Sequence, residues 1–401
     1  MPRKIIIAIL LGSLSLGLFI HYQVRAPKRN FSDYRVYYKA GRDVLEGKNI
    51  YVREIEEITP YKYSPVFAVF MSGLSIVNRK ASASIFFILN LIFVFFIFKL
   101  SRKMIFFRGI TTNKELLLLA LVLIINSRFI LNCLDSGQVG ILISFLLILG
   151  LFLLSLGKYW KAAFLIGFSI MIKYMPFLFV IYFLLKRNFK VGGLILFSMA
   201  SYCLIPAIFI GFKSNLLYLN EWIPYITSTS LDQGSMITSK NHSLWTLPLR
   251  LFPNISSFNA KLVTVAFFII LMFFIVSRSR NASKGGGKIC LFHNCLDYAM
   301  IFILIPLFNP NAWLHNFVIL IFPYMAAVYY LFVKGFKDKI VLFLVFSSFI
   351  LSSVGSRSLA GDNLQTILDY LFLVPVGALL LFAALAKIKF TGDIYKPGEL
   401  D

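Results

Sequence analysis

Apolar runs that recur from one end of the chain to the other constrain its fold more than any other sequence feature. Most of them approach the ~20 residues that a helix needs to cross a hydrocarbon core ~30 Å thick, and short basic or aromatic loops separate them. With 59% hydrophobic and 14% charged residues, the chain is far more apolar than an ordinary soluble domain. A helix pairs its own backbone polar groups, so such runs form helices in lipid. The sequence therefore predicts an all-α, polytopic membrane protein.

The runs predict about twelve transmembrane helices, in a single domain that fills residues 1–401. The first run, residues 5–20, follows Arg3 and Lys4 and has no convincing small-residue cleavage site after it, so we interpret it as a retained span. The other spans are expected at residues 82–100, 116–131, 140–156, 162–172, 176–185, 191–210, 263–276, 298–308, 313–332, 340–354 and 367–386. Both termini are then cytoplasmic, and the expected location is the cell (inner) membrane.

Two long polar loops, residues 21–81 and 211–262, lie on the extracytoplasmic side in this topology. The apolar stretch at residues 65–77 is too short for a crossing, and we interpret it as a juxtamembrane or re-entrant helix within the first loop. Lys and Arg then concentrate in short cytoplasmic loops, for example at Arg102, Lys103, Arg108 and Lys114, as the positive-inside rule requires. Counting residues 65–77 as a crossing would put every later basic loop outside.

The net charge of +23 does not indicate a nucleic-acid partner, because the basic residues form many small clusters between apolar runs. Cys290, His293 and Cys295 form a loose cluster that could hold zinc, but no second ligand pair stands nearby. No Asp-x-Asp pair and no Walker loop occurs in the sequence. The sequence therefore has no motif for binding a nucleotide sugar through a metal ion, and none for binding ATP. We therefore predict no metal and no cofactor.

Polar side chains of a kind that membranes tolerate poorly gather in the segments predicted to be extracytoplasmic. Ionisable groups at a bilayer boundary cost free energy, so such clusters mark functional sites. Each residue also has a structural explanation, as a helix cap, a snorkelling lysine or an interfacial aromatic, but chance would scatter the residues over both faces. The sequence predicts one aqueous site at this face. Its candidate residues are Asp33, Tyr37, Lys62, Tyr63, Arg128, Gln138, Lys173, Asn241, Trp313 and His315.

These side chains suit the transfer of a sugar from a lipid phosphate to a hydroxyl group, with inversion at the anomeric carbon. Inverting hydrolysis of a glycoside uses a carboxylic acid for the leaving oxygen and a carboxylate as base. Phosphate is already a stable anion, so the acid is dispensable, and one base with cations for the phosphate suffices. Asp33 would be the base, and the candidate cations are Lys62, Arg128, Lys173 and His315.

Six short sequence elements occur in one order along nearly three quarters of the chain. They are Asp33-Tyr34-x-x-Tyr37-Tyr38-x-Ala40-Gly41, Tyr61-x-Tyr63-x-Pro65, Gly137-Gln138-Val139, Ile172-Lys173-x-x-Pro176, Asn241-x-Ser243-Leu244 and Asn309-Pro310-x-x-Trp313-x-His315. In this order they resemble the polyprenyl-phosphate-mannose-dependent α-mannosyltransferases of glycosyltransferase family 87, in the GT-C superfamily. The chain departs from the family's usual pattern at Ser64, Gly140 and Asn316, which leaves the donor sugar and acceptor less defined than the reaction type.

The resemblance implies a GT-C fold, an extracytoplasmic active site and an α-linked product. It implies a β-linked polyprenyl-phosphate sugar as donor, a glycan or glycolipid as acceptor, and membrane lipids as surroundings. It maps the catalytic base onto Asp33 and a donor-phosphate role onto His315, with Lys173 and Asn241 lining the site.

Two other functions remain open at the level of the sequence. A transporter or flippase of a lipid-linked saccharide would also need aromatic and cationic clusters, together with polar residues leading to both faces and often internal repeats. The sequence shows neither of these last two features. A glycan ligase or polymerase would use the same donor with a larger acceptor. The leading hypothesis is an inverting hexosyltransferase that uses polyprenyl-phosphate mannose.

Overall fold

The computed structural model describes residues 31–51, 60–229, 238–277, 287–355 and 357–391. In these ranges the chain is helical without a strand, and the expectation of an all-α polytopic membrane protein is confirmed. The first expected span, residues 5–20, lies outside the described residues. The α-helices are α1 (Ser32–Leu45), α2 (Pro65–Ser75), α3 (Arg79–Ile105), α4 (Thr112–Ser136), α5 (Gly140–Ser155), α6 (Tyr159–Ile172), α7 (Leu178–Leu185), α8 (Phe189–Leu204), α9 (Pro206–Ile210), α10 (Phe212–Thr229), α11 (Leu247–Leu251), α12 (Ser257–Val276), α13 (Gly287–Leu307), α14 (Ile321–Val333), α15 (Lys339–Val354), α16 (Arg357–Tyr370) and α17 (Leu373–Thr391).

Each expected span after the first is helical over most of its length. Among the described residues, six helical segments are long and apolar enough to cross a membrane alone, namely Arg79–Ile105, Thr112–Ser136, Phe189–Ile210, Ser257–Val276, Leu314–Val333 and Leu373–Thr391. The shorter apolar helices are Pro65–Ser75, Gly140–Ser155, Tyr159–Ile172, Met175–Leu185, Leu291–Leu307 and Lys339–Val354. The stretch expected to be a juxtamembrane helix is α2, which begins at Pro65. Proline lacks a backbone N–H, and this costs nothing in the first turn, where the N–H groups have no acceptor within the helix.

Four of the expected spans combine two helical elements, including those at residues 176–185 and 191–210. The segment expected at residues 313–332 begins as a 3₁₀ helix, Leu314–Leu320, before α14. Pro323 explains the change, because its missing N–H is tolerated in the first turn of an α-helix and not in the interior. The segment expected at residues 367–386 is divided between α16 and α17. Phe372, with a left-handed backbone (φ 64°), lies at this break.

Helix α14 is the centre of the bundle. All of its residues from Ile321 to Val333 are buried, and the Leu314–Val333 span is 94% buried, against 17% for Phe189–Ile210. Helices α3, α4, α13 and α17 pack around it. The 3₁₀ helix that leads into α14 packs against α4, α5 and α13. A side chain on this 3₁₀ helix therefore lies close to the ends of several other helices.

A buried charged cluster joins four helices at the end of α7 that lies away from Lys173. The Lys389 Nζ atom lies 2.8 Å from Asp297 Oδ1 and donates to the carbonyls of Phe274 and Ile275. Lys186 lies 3.0 Å from Asp297 Oδ2, and the Tyr182 hydroxyl donates to the same oxygen at 3.1 Å. Paired in this way, the buried charges hold α7, α12, α13 and α17 together.

Candidate active site

Helix α1 places Asp33 in its first turn, where the chain enters the helix through a sharp bend. Phe31, just before the helix, has a left-handed backbone with φ 45°. A carboxylate in the first turn is favoured by the partial positive charge of the helix N-terminus. Tyr34 and Tyr37 are fully buried, whereas Asp33 keeps part of its surface accessible. The neighbouring tyrosines therefore anchor α1 and leave the Asp33 carboxylate partly open.

Gly137 brings the end of α4 against the start of α1. Its backbone is left-handed, with φ 67°, a conformation in which glycine carries no steric penalty. A Cβ atom at this position would lie 2.5 Å from Phe31 Cε1 and 2.8 Å from Tyr34 Cβ. Both the backbone and the close approach therefore require glycine. The turn at Gly137 sets Gln138 beside the first turn of α1.

A chain of hydrogen bonds runs from Tyr63 to the Asp33 carboxylate. The hydroxyls of Tyr63 and Tyr37 lie 2.8 Å apart, and the Tyr37 hydroxyl donates to Gln138 Oε1 at 2.9 Å. The Gln138 side chain also hydrogen-bonds Asp33. Since Oε1 already accepts from Tyr37 and a carboxylate can only accept, the Gln138 amide group donates to Asp33. Gln138 therefore orients the carboxylate, and Tyr37 and Tyr63 in turn hold the Gln138 side chain.

Lys173 lies in the break between α6 and the next helix. α6 ends at Ile172, Lys173 has an extended backbone, and Pro176 lies in the 3₁₀ turn Met175–Phe177 that leads into α7. Proline cannot continue the hydrogen bonding of a helix interior, so the chain reverses here. The Lys173 ammonium donates to Asn316 Oδ1 at 3.0 Å. This contact joins the tip of the α6–α7 hairpin to the 3₁₀ helix before α14.

Three influences act on the pKa of Asp33. Burial raises the pKa of this carboxyl above its ordinary value, because desolvation disfavours the charged form, and this is the largest influence. The hydrogen bond from Gln138 and the positive charge of Lys173 act in the opposite direction. The net result is a raised pKa. Such a carboxylate is more basic than an exposed one, and the positive charge of Lys173 still acts on it.

His315 faces the same cluster from the 3₁₀ helix. Its side chain is 8% exposed, and the charge of Lys173 acts on it directly. A Cβ atom at Gly140 would lie 3.0 Å from the His315 carbonyl oxygen, so α5 begins almost in contact with this residue. Trp313, two residues earlier, is 43% exposed. The loop and the 3₁₀ helix that follows it thus present one exposed indole and one buried imidazole.

Asn241 holds the loop that carries Trp313 and His315. Its Nδ2 donates to the Pro310 carbonyl at 2.8 Å, and its Oδ1 accepts from the backbone N–H of Ala312 at 3.0 Å. The backbone N–H of His242 donates to the Ala312 carbonyl at 2.8 Å. Because both the nitrogen and the oxygen of its side-chain amide bond to the backbone of this loop, Asn241 supports the loop.

Arg128 lies in a different cluster. Its Nη1 donates to the Ser352 carbonyl at 2.6 Å, and its Nη2 is 3.7 Å from Asp369 Oδ1. The ring of His242 lies 3.9 Å from the same carboxylate. Burial, together with the charges of Arg128 and Arg250, lowers the pKa of His242 to about 3, so this histidine is neutral. The expected phosphate role of Arg128 gains no support from this position, where its guanidinium binds the end of α15.

The expected site residues thus fall into groups. Lys62 lies on the exposed side of the turn before α2. Trp313 and Asn241 flank the cluster, and Arg128 lies apart from it. The residues brought together are Asp33, Tyr37, Tyr63, Gln138, Lys173 and His315.

Asn316 and Cys133 join the cluster although sequence reasoning did not select them. Asn316 entered that reasoning only as a departure from a family pattern, although it directly follows His315. The Cys133 thiol is buried and donates to the Gln138 carbonyl at 3.4 Å. Cys133 lies four residues before Gly137, and this closeness in sequence was the one feature that could have predicted its place in the cluster. In the ranges that the structure covers, no group of three or more His, Cys, Asp or Glu side chains is placed to hold a metal ion.

The fold and the cluster define a polytopic membrane protein in which a carboxylate, an ammonium group and an imidazole meet at the junction of four chain segments. The chain matches the family model of glycosyltransferase family 87 over residues 61–296, more than half of its length, and it belongs to that family. It is therefore a membrane glycosyltransferase. The match includes Gln138, Lys173 and Asn241, whereas Asp33 and His315 lie outside it. No curated protein matches the chain.

Proposed function

We propose that the protein transfers mannose from a polyprenyl-phosphate donor to a hydroxyl group of a glycan or glycolipid, with inversion at the anomeric carbon. One observation carries this proposal. Asp33, Lys173 and His315 come from three distant parts of the sequence, and the charge of Lys173 acts on both of the others. A base beside two groups that can bind phosphate is the set that this reaction needs.

Asp33 acts as the general base in this proposal. The acceptor hydroxyl attacks the anomeric carbon and passes its proton to the carboxylate as the new C–O bond forms. The raised pKa of Asp33 makes proton transfer more favourable, because base strength follows pKa. The hydrogen bond from Gln138 keeps the carboxylate pointed in one direction, and general-base help of this kind is worth about 10²–10⁴-fold in rate.

Lys173 and His315 stabilise the leaving group. The bond between the anomeric carbon and the phosphate oxygen breaks, and its electron pair leaves with the polyprenyl phosphate. The ammonium group of Lys173 compensates the charge that develops there, and an imidazole N–H of His315 donates to it. Because the phosphate leaves as a stable anion, no acid is needed. Trp313, exposed beside His315, offers an apolar face for the sugar ring.

The proposed site faces the extracytoplasmic side, with both termini in the cytoplasm of a cell-membrane protein of the GT-C type. The support is the distribution of basic residues. The last turn of α3 carries Arg102 and Lys103, and the loop after it carries Arg108. These residues lie at the opposite ends of α3 and α4 from Ser82 and Gly137. Positive residues favour the cytoplasmic side, so Gly137 and the cluster beside it face outwards.

A transfer assay tests the proposal. The full chain in lipid nanodiscs is supplied with polyprenyl-phosphate [14C]mannose and a total membrane lipid extract as acceptor, and labelled products are separated from the donor. We expect Asp33→Asn to lower the transfer rate at least about 100-fold. Glu46→Gln, an exposed carboxylate at the other end of α1, is the matched control and keeps the rate.

Each departure from these results has a defined meaning. Normal turnover by Asp33→Asn excludes Asp33 as the base. Transfer from a polyprenyl-phosphate glucose donor but not from the mannose donor would make the sugar assignment wrong. Movement of the labelled donor across a vesicle membrane, with no new product, would identify a flippase.

A further inference from the structure

The carboxamide of Asn316 connects Lys173 to the loop that precedes it. Lys173 Nζ donates to Asn316 Oδ1 at 3.0 Å, and Asn316 Nδ2 donates to the Asn311 carbonyl at 3.1 Å. An ammonium group can only donate and a carbonyl can only accept, so the two partners fix which way the amide points. Among side chains of this length, only asparagine satisfies both.

This contact restrains a side chain that would otherwise be mobile. Lysine has four rotatable bonds and loses much conformational freedom when it is held in one position. The Lys173 ammonium is near Asp33 on α1, Cys133 on α4 and His315 on the 3₁₀ helix. Among the described residues no direct ion pair joins Lys173 to Asp33. The oxygen that holds the ammonium in place is therefore the neutral Oδ1 of Asn316.

We propose that Asn316 is a positioning residue, which holds the Lys173 ammonium beside Asp33 and His315 so that it meets the phosphate of the lipid donor. The phosphate partner rests on the proposed function, whereas the contact between Asn316 and Lys173 does not. A neutral holder suits this role, because it directs the ammonium without cancelling its charge. A carboxylate at position 316 would neutralise Lys173 and repel both the phosphate and the Asn311 carbonyl.

A double-mutant cycle on lipid-phosphate binding tests this proposal. Polyprenyl phosphate, without a sugar, is titrated into the full chain in nanodiscs. The dissociation constant is measured for wild type, Asn316→Ala, Lys173→Met and the double variant. We expect each single variant to bind about tenfold more weakly, since each loses one charge-assisted hydrogen bond. The double variant should bind no more weakly than Lys173→Met alone, because Asn316 acts through Lys173.

Two further variants separate positioning from a general disturbance of the loop. Asn309→Ala removes a hydrogen bond within the same loop, in which Asn309 Oδ1 accepts from the Asn311 backbone at 3.3 Å, and it should leave the dissociation constant unchanged. Asn316→Asp should bind more weakly than Asn316→Ala. The proposal fails if Asn316→Ala weakens binding by the same factor with and without Lys173, or leaves binding unchanged. If wild type does not bind polyprenyl phosphate at all, the donor assignment fails instead, while a crystallographic or cryo-EM map of Asn316→Ala still reports whether Lys173 has moved.

Discussion

Substitution of Gly137 by alanine tests whether the contact between α4 and α1 builds the site. The left-handed backbone at this position, φ 67°, costs a residue with a Cβ atom about 1–2 kcal/mol. The added methyl group would also lie 2.5 Å from Phe31 Cε1 and 2.6 Å from Phe31 Cδ1, where ordinary contacts begin at 3.4 Å. Forcing such a group into a packed region costs about 1–3 kcal/mol more. The total penalty is about 2–5 kcal/mol.

Relief of the clash requires the start of α1 and the end of α4 to separate by about 1 Å, the difference between 2.5 Å and an ordinary contact of 3.4 Å. That movement would separate Asp33 from Gln138, and a misplacement of this size costs about 100-fold in rate. We therefore expect Gly137→Ala to lower both the unfolding temperature and the rate of sugar transfer. Differential scanning fluorimetry and the nanodisc transfer assay measure the two effects.

Gly47 supplies a matched control. It has the same φ of 67° at the far end of α1, and a Cβ atom added there would have no neighbouring atom within 4 Å. Gly47→Ala should show only the backbone penalty, about 1–2 kcal/mol, with the transfer rate retained. If the two variants lose activity equally, or if Gly137→Ala keeps the wild-type rate, the close approach to Phe31 does not determine the position of Asp33.

Two further predictions concern charge. Lys173 lowers the pKa of Asp33, so Lys173→Met should raise that pKa further. Because the carboxylate is then protonated at a higher pH, the acidic fall of the transfer rate should move to higher pH. An unshifted pH profile would show that the charge of Lys173 does not act on the catalytic carboxylate. At the other cluster, Asp297→Asn leaves the Lys389 ammonium buried without its carboxylate, which should destabilise the protein by about 3–5 kcal/mol. Denaturant titration measures this loss of stability. Binding of polyprenyl phosphate should persist at temperatures where the variant is folded. An unchanged unfolding midpoint would show that the charged cluster does not stabilise the fold.

The lengths of apolar runs predicted the helices well, because the thickness of the bilayer core sets the minimum length of a span. They predicted the starts of helices poorly where polar residues lie inside the bundle. Helix α13 begins at Gly287, eleven residues before the expected span. The expected span begins at residue 298, after the polar residues His293 and Asp297, but Asp297 is paired with Lys389 from the distant α17. Composition cannot reveal a partner that far along the chain.

The residues of the candidate site also divide into those that the sequence predicted and those that it did not. Motif order brought Asp33, Lys173 and His315 into one hypothesis, because family elements keep their order along the chain. Arg128 was placed there only by its closeness in sequence. On a helix with 3.6 residues per turn, it points about 140° away from Cys133, whose thiol faces the site. The direction in which Arg128 points from the helix axis therefore places it outside the candidate site. The role of Asn316 depends on a contact with a residue 143 positions away.

The segment between Lys173 and Lys186 is short for a membrane crossing. It consists of a three-residue 3₁₀ turn and the eight-residue α7, which together extend roughly 18 Å. This length is well below the ~30 Å of a hydrocarbon core, so lipid beside α7 must thin or the two lysines must lie below the headgroup planes. Lys173 is partly exposed and donates to Asn316. On the proposed function, the lipid phosphate then reaches Lys173 sideways from the leaflet, without its long chain leaving the bilayer.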